Sequence, residues 1–292
     1  MSPREFAIEL PHLTLAAQAW GDAALPPLLA VHGWLDNAAS FAALAPLLAS
    51  RFHIVAIDLP GHGRSAHRPA GAWYHYVEYL ADIQATVTAL GWARFTLLGH
   101  SLGGAIASMY AAARPDSVER LLLIESLGPL TAAPEQALEQ LRRGLDQRAE
   151  FGAKPLRVFA DPAIAVRARM QANDLSEAAA TALVERGLAA VPGGWSWSSD
   201  ARLTLASPLR YTETQIQNIL RGIVAPTCVV FAEPSPPYLP MATMQARASC
   251  VPWVETHRLP GNHHLHMEHA PAVSAVFHAF LQKSCSAARD PA

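Results

Sequence analysis

The chain has 292 residues, 51% hydrophobic and 16% charged, which suits one large core or a core with a lid and excludes extended disorder. Its formal net charge of −2 gives no basis for a nucleic-acid or membrane-surface partner. Cys228, Cys250 and Cys285 are odd in number and lack the close pairing of a zinc or redox motif. The opening residues form no apolar signal segment, and no run approaches the ~18 apolar residues of a membrane span, so a cytoplasmic protein is expected.

Residues 4–10 and 13–20 read as two antiparallel edge strands. Residues 27–31, short and wholly apolar before His32-Gly33, suit a strand buried on both faces. A helix is predicted over 37–50, a strand over 52–58, and an amphipathic helix over 77–90 that Gly91 closes. A strand over 95–99, a small-residue helix over 102–113 and a strand over 121–124 follow. This alternation implies right-handed βαβ units and a mainly parallel sheet.

The rhythm breaks near residue 129. From there to 222 the sequence is rich in Ala, Arg and Glu, helical in pattern and without a convincing strand. It resumes with a strand over 227–231, where Cys228 reads as a core residue, then a helix near 239–248, a strand over 253–258 and a helix over 271–284. The tail after Ser284 is polar and reads as frayed. The predicted organisation is an α/β core, residues 1–128 and 223–292, interrupted by a helical cap, residues 129–222.

Gly99-His100-Ser101-Leu102-Gly103 fits G-x-S-x-G between a buried strand and a helix. A serine hydroxyl is a weak nucleophile and must stand exposed at a strand end where a base reaches it. The turn is tight enough to demand small neighbours, and the helix aims its first N–H groups at the reacting carbon. The bland alternative is a packing turn with a buried serine.

With this motif in place, the chain resembles the α/β-hydrolase superfamily over essentially its whole length, closest in pattern to capped bacterial serine esterases of the serine-hydrolase-like type. His32-Gly33-Trp34 resembles the oxyanion loop of that family, Asp58 to Ser65 its D-x-P-G-x-G-x-S turn, and Gly261-Asn262-His263 its histidine loop. The resemblance implies an oxyanion hole formed by the backbone N–H groups of Trp34 and Leu102. Asp58, Arg64 and Ser65 are expected to brace the Gly-rich turn.

Four imidazoles crowd the stretch from His263 through His264 and His266 to His269. His263 fits the family register for the base, with His264 and His266 as the other candidates. No helical i, i+4 pair or outlying Cys or Asp supports a metal cluster there.

The usual slot for the acid, after the strand at 227–231, holds Ser235. Some capped relatives, haloalkane dehalogenases among them, carry the acid one strand earlier, which is Glu125 here; Glu233 is the alternative. A serine at 101 removes the carboxylate nucleophile of dehalogenases and epoxide hydrolases, and no phosphate-binding loop is present.

The implied activity is hydrolysis of a small neutral ester by Ser101, His263 and Glu125, without cofactor or metal. A C–C bond hydrolase or a non-catalytic ligand-binding member is the alternative. Trp34, Trp195 and Trp197 are expected to line an apolar pocket beneath the cap.

Overall fold

The computed structural model of the chain describes residues 2–152 and 157–287, the last four for their backbone alone. Strands β1 (Arg4–Glu9), β2 (Thr14–Trp20), β3 (Pro27–Val31) and β4 (His53–Ile57) occupy its first fifth. The helix predicted over 37–50 is instead a 3₁₀ turn at Ala38–Phe41 and a short helix α1 (Ala45–Leu48). Pro46 is the reason: it lacks an N–H, and its ring excludes a helical carbonyl four residues earlier.

Helix α2 (Tyr76–Ala89) starts where the His75 N–H donates to Glu78 Oε2 at 2.9 Å, and it ends before Gly91 at φ +70°. Strand β5 (Phe95–His100), helix α3 (Leu102–Ala113) and strand β6 (Val118–Ile124) follow.

The inserted stretch holds helices α4 (Ala137–Ala149), α5 (Pro162–Asn173) and α6 (Glu177–Gly187), then strands β7 (Leu188–Val191) and β8 (Gly194–Trp197), then helix α7 (Glu213–Leu220). The β7–β8 hairpin corrects the expectation of a strand-free segment. Four-residue strands show no period in sequence, and the hairpin gains a third partner through two backbone bonds between Phe159 and Trp195, at 2.7 and 2.8 Å.

Strand β9 (Thr227–Glu233), helix α8 (Met241–Ala248), strand β10 (Val254–Pro260), helix α9 (Leu265–Glu268) and helix α10 (Ala270–Ala287) complete the core. Of the tail expected to fray, residues 285–287 continue α10, and the rest lies outside the described residues.

The eight-stranded sheet runs β1-β2-β4-β3-β5-β6-β9-β10. It is parallel from β4 to β10, with β1 and β2 antiparallel at one edge. Alternate strand residues feed two apolar layers. Leu29, Val31, Leu97, Leu121 and Leu123 pack with Ile83 of α2 and Ile106 and Tyr110 of α3. Leu28, Ala30, Leu98, Leu122, Ile124 and Cys228 pack with Phe41, Leu44, Leu48 and Phe277. Both faces are covered, which explains the continuous apolar runs. Strand order reverses between β3 and β5, so the crevice typical of open α/β sheets lies at their carboxyl ends. Among the described residues, no helix is long and apolar enough to cross a membrane.

The turn after β4 shows how the inserted stretch meets the core. Asp58 is buried; it accepts from the Ala38 N–H at 2.7 Å and the Arg64 N–H at 2.8 Å, and Ser65 Oγ donates to its carbonyl at 2.6 Å. The Arg64 guanidinium does not brace this turn: it is exposed, 3.8 Å from Glu5. Arg186 of α6 does so instead, donating through Nε to both Asp58 oxygens at 2.9 and 3.0 Å and through its Nη1 to Glu5. Removing one partner of a buried pair strands the other charge, at a cost of about 3–5 kcal/mol. Arg186→Met is therefore expected to lose on the order of 3 kcal/mol in urea unfolding. Arg64→Met should stay within about 0.5 kcal/mol of the parent, and equal losses for the two would refute the assignment.

Candidate active site

Ser101 stands between β5 and α3 with φ +51° and ψ −114°, a conformation side chains rarely adopt. Its N–H donates to the Ile124 carbonyl at 3.0 Å, and its carbonyl accepts from Ala105 at 2.9 Å. The flanking glycines are sterically required. A Cβ on Gly99 would sit 2.5 Å from the Gly103 carbonyl oxygen, and one on Gly103 would sit 2.0 Å from that of Val31. Leu102 opens α3, so its N–H has no intrahelical acceptor and faces the region where the helix field favours negative charge.

Glu125 follows β6 and also lies at positive φ, +55°. Its buried carboxylate accepts the Ala232 N–H through Oε1 at 2.5 Å, while Oε2 lies 2.9 Å from His263 Nδ1. A proton on Nδ1 satisfies that contact and leaves the Nε2 lone pair free. The His100 Nε2–H donates to the His263 carbonyl at 2.9 Å, and the Tyr238 ring meets the His263 ring edge-on at 5.5 Å.

Of the three candidate imidazoles, His263 is the one that reaches a carboxylate on a strand end. His264 and His266 are buried beneath it. Glu233 is turned outward into a 2.9 Å ion pair with Arg258, and Ser235 Oγ lies 3.4 Å from the Ala232 carbonyl.

The loop after β3 is fixed from below. The His32 Nδ1–H donates to the Gly33 carbonyl at 2.7 Å, and His32 Nε2 accepts from Leu59 at 2.9 Å. Leu35 has φ +59°, a third strained position at this edge. Trp34 is half exposed and donates through Nε1 to the Leu203 carbonyl at 2.9 Å.

A cleft of about 520 Å³ opens beside His263, walled by Pro234, Pro236, Pro237, Asn262, His269 and Asp174. None of the three expected tryptophans lines it. Trp197 packs edge-on against Phe159 at 5.6 Å, inside the inserted segment. Trp195 lines a separate groove of about 640 Å³ between α5 and α6. Trp197 thus packs within the inserted segment, and Trp195 faces a groove of its own, apart from the cleft beside His263.

Beneath the site lies a group of buried polar residues, of which the sequence reading passed over His100, Asp36 and Arg169. The His100 and His266 rings meet at 4.1 Å, tilted by 38°, and both Asp36 and Arg169 approach the same place. Burial lowers the His100 and His32 pKa values to about 4 and that of His62 to about 3. Burial also lowers His266 well below the ordinary range. Asp36 moves the other way: burial opposes its charge, yet His264 and Arg169 hold its carboxyl well below the usual value. A signal for Asp36 was present, as the lone acidic residue between β3 and the 3₁₀ turn at Ala38. Arg169, 133 residues away in sequence, gave none.

Comparison with known proteins agrees with this architecture. Residues 26–183 match the alpha/beta hydrolase fold family. A serine hydrolase-like protein of Danio rerio is 32% identical over 95% of this chain and 88% of its own length. The crystal structure of a hypothetical protein from Pseudomonas aeruginosa PAO1 superposes with a TM-score of 0.89 at 44% identity, covering 94% of this chain and 97% of that one. A thioesterase domain from the curacin biosynthetic pathway superposes with a TM-score of 0.83 at 29% identity, covering 94% and 99%.

The buried imidazoles make acid stability informative. His32, His62 and His100 have folded pKa values below the ordinary 6.5, so the unfolded chain binds protons first as pH falls. Their stabilising contribution is complete above pH 6.5 and is lost as pH falls toward 4. Asp36, whose pKa is depressed, loses its contribution only below the ordinary Asp value of 3.8, outside that window. Each histidine adds at most about 1.4 kcal/mol per pH unit. Urea midpoints at pH 7, 6 and 5 should therefore fall progressively, and His62→Asn should flatten the slope. A flat profile would show that these rings are not buried neutral.

Proposed function

The chain belongs to the α/β-hydrolase superfamily, among its serine hydrolase-like proteins, and from that premise we propose that it hydrolyses carboxylic esters through Ser101, His263 and Glu125. The observation that carries this reading is the 2.9 Å contact of His263 Nδ1 with buried Glu125, on the strand beside the one that presents Ser101. That contact selects the tautomer whose Nε2 can accept a proton.

His263 Nε2 takes the hydroxyl proton as Ser101 Oγ bonds to the ester carbonyl carbon. The N–H groups of Trp34 and Leu102 stabilise the oxyanion, whose collapse expels the alcohol as His263 returns the proton. Water, deprotonated by the same imidazole, then releases the acid and restores Ser101. Glu125 stabilises the imidazolium at both steps. The segment 129–222 serves as a cap, attached through Trp34 to the loop that carries one of the oxyanion donors.

The carboxylic ester is the first substrate class; the cleft beside His263 is walled by prolines and does not include Ser101 among its lining residues. A thioester is the second substrate class, because the likeness to a thioesterase domain extends over nearly the full chain and the same acyl-enzyme chemistry applies.

Ser101→Ala is expected to lower kcat on aryl esters by about 10³-fold or more with unchanged thermal unfolding. Retention of a tenth of parental kcat would end the Ser101 assignment. A second comparison tests the acid. Glu125→Gln should cost about 10³–10⁴-fold in kcat, because the wrong tautomer is then favoured, whereas Glu233→Gln should change kcat little. A reversed ranking would move the acid to β9. Running both series on acyl thioesters as well decides between the two substrate classes.

A further inference from the structure

The loop carrying Trp34 is held by the inserted helices as well as by the sheet. Asp36, two residues beyond Trp34, is buried at the meeting point of four elements. The guanidinium of Arg169, on α5, donates to its Oδ1. His100, next to Ser101, places Nδ1 3.6 Å from Oδ2, and His264, next to His263, places Nε2 3.4 Å from the same oxygen. Packing leaves no slack, since a Cβ on Gly33 would lie 2.9 Å from both Asp36 Oδ2 and His100 Nδ1.

Neighbouring bonds repeat the arrangement. The Asn37 side chain donates to the Leu183 carbonyl of α6 at 2.8 Å. From the histidine loop, Asn262 donates to the Asp174 carbonyl at the end of α5, and the Ser176 N–H at the start of α6 donates to Glu268 at 2.7 Å. The α5–α6 pair thus grips both the oxyanion loop and the histidine loop.

Leu35 shows why this grip bears on chemistry. A non-glycine residue at φ +59° is held there only by its surroundings. The residues on its carboxyl side, Asp36 and Asn37, are the ones bound to α5 and α6. Of the groups meeting the Asp36 carboxylate, Arg169 carries the permanent charge; His100 is held neutral by burial.

We propose that Asp36 is a positioning residue that, through Arg169, couples the seating of the α5–α6 pair to the alignment of the oxyanion loop with Ser101 and His263. The inference rests on the reading of the Trp34 N–H as an oxyanion donor. An interaction of this kind acts on the transition state, so its loss lowers kcat more than it raises KM.

The test compares Asp36→Asn, Arg169→Gln, Arg169→Lys and the double variant Asp36→Asn/Arg169→Gln with the parent, reading kcat, KM, thermal unfolding and the rate of fluorophosphonate labelling at Ser101. Each of the first two single substitutions should lower kcat by roughly 10–100-fold, a part of the 10²–10³-fold carried by one oxyanion donor, with KM changed less than about threefold. Arg169→Lys, which keeps the charge, should recover most of the loss. The double variant should resemble either single, because both break one link. If Asp36→Asn fails to fold, Arg169→Gln and its recovery by Arg169→Lys carry the comparison.

A kcat within about threefold of the parent in the folded variants, a rise in KM alone, or losses that multiply in the double variant would overturn the proposal. Labelling separates this from failure of the parent reading. A parent enzyme that neither labels at Ser101 nor turns over removes both readings. A parent that labels and turns over beside unaffected variants removes the Asp36 proposal alone.

Discussion

The hydrogen-bond ladder of the parallel sheet continues past the ends of its strands, and the site is built on that extension. Beyond β5, the Ser101 N–H reaches the last carbonyl of β6; beyond β6, the Glu125 N–H reaches Val230 of β9 at 2.9 Å, and the Glu125 carboxylate accepts from Ala232 on the same strand. Each bond holds a residue whose φ is positive, a conformation that costs about 1–3 kcal/mol. A strained turn survives where its surroundings over-determine it, and strands buried on both faces supply that rigidity. The two elbow glycines belong to the same constraint, because α3 crosses β3 and β5 too closely for any Cβ.

Charge organises the second layer. Two buried carboxylates, Asp36 and Asp58, sit in the loops that follow β3 and β4. Each meets a guanidinium from the inserted segment, Arg169 for the first and Arg186 for the second. A buried ion pair adds little net stability over an apolar contact of the same size, yet it tolerates few alternative arrangements. Both pairs therefore specify where α5 and α6 sit relative to the sheet. Helix α4 is different: Leu138, Leu141 and Leu145 lie along one of its faces and are exposed.

The histidines around the site divide by environment more than by position in the chain. His263 keeps an edge toward the cleft and a carboxylate on Nδ1. His100 and His266 are buried against other imidazole rings and stay neutral, and His100 uses its proton to hold the His263 carbonyl. One side-chain type thus serves as a polar strut at His100 and as the partner of a buried carboxylate at His263, within a few ångströms.

The amino-acid sequence determined by itself the alternation of strands and helices and the serine elbow, while the register of the histidine loop rested on a resemblance to a family. These signals are local: a run buried on both faces, a glycine pair too tight for Cβ atoms, a loop a few residues past a strand. Strand order decided the rest. Glu125 meets His263 across 138 residues because β6, β9 and β10 lie side by side, a fact no period in the chain reports. Arg64 has the local spacing of a brace for Asp58, but the buried carboxylate was reached by Arg186, 128 residues away, because α6 lies over the turn while Arg64 faces water. Trp195 and Trp197 read as pocket walls by composition, and the hairpin that carries them turned both side chains toward the inserted segment itself. A side chain's chemistry is written locally, whereas its partner is chosen by whichever distant element the packed core brings within reach.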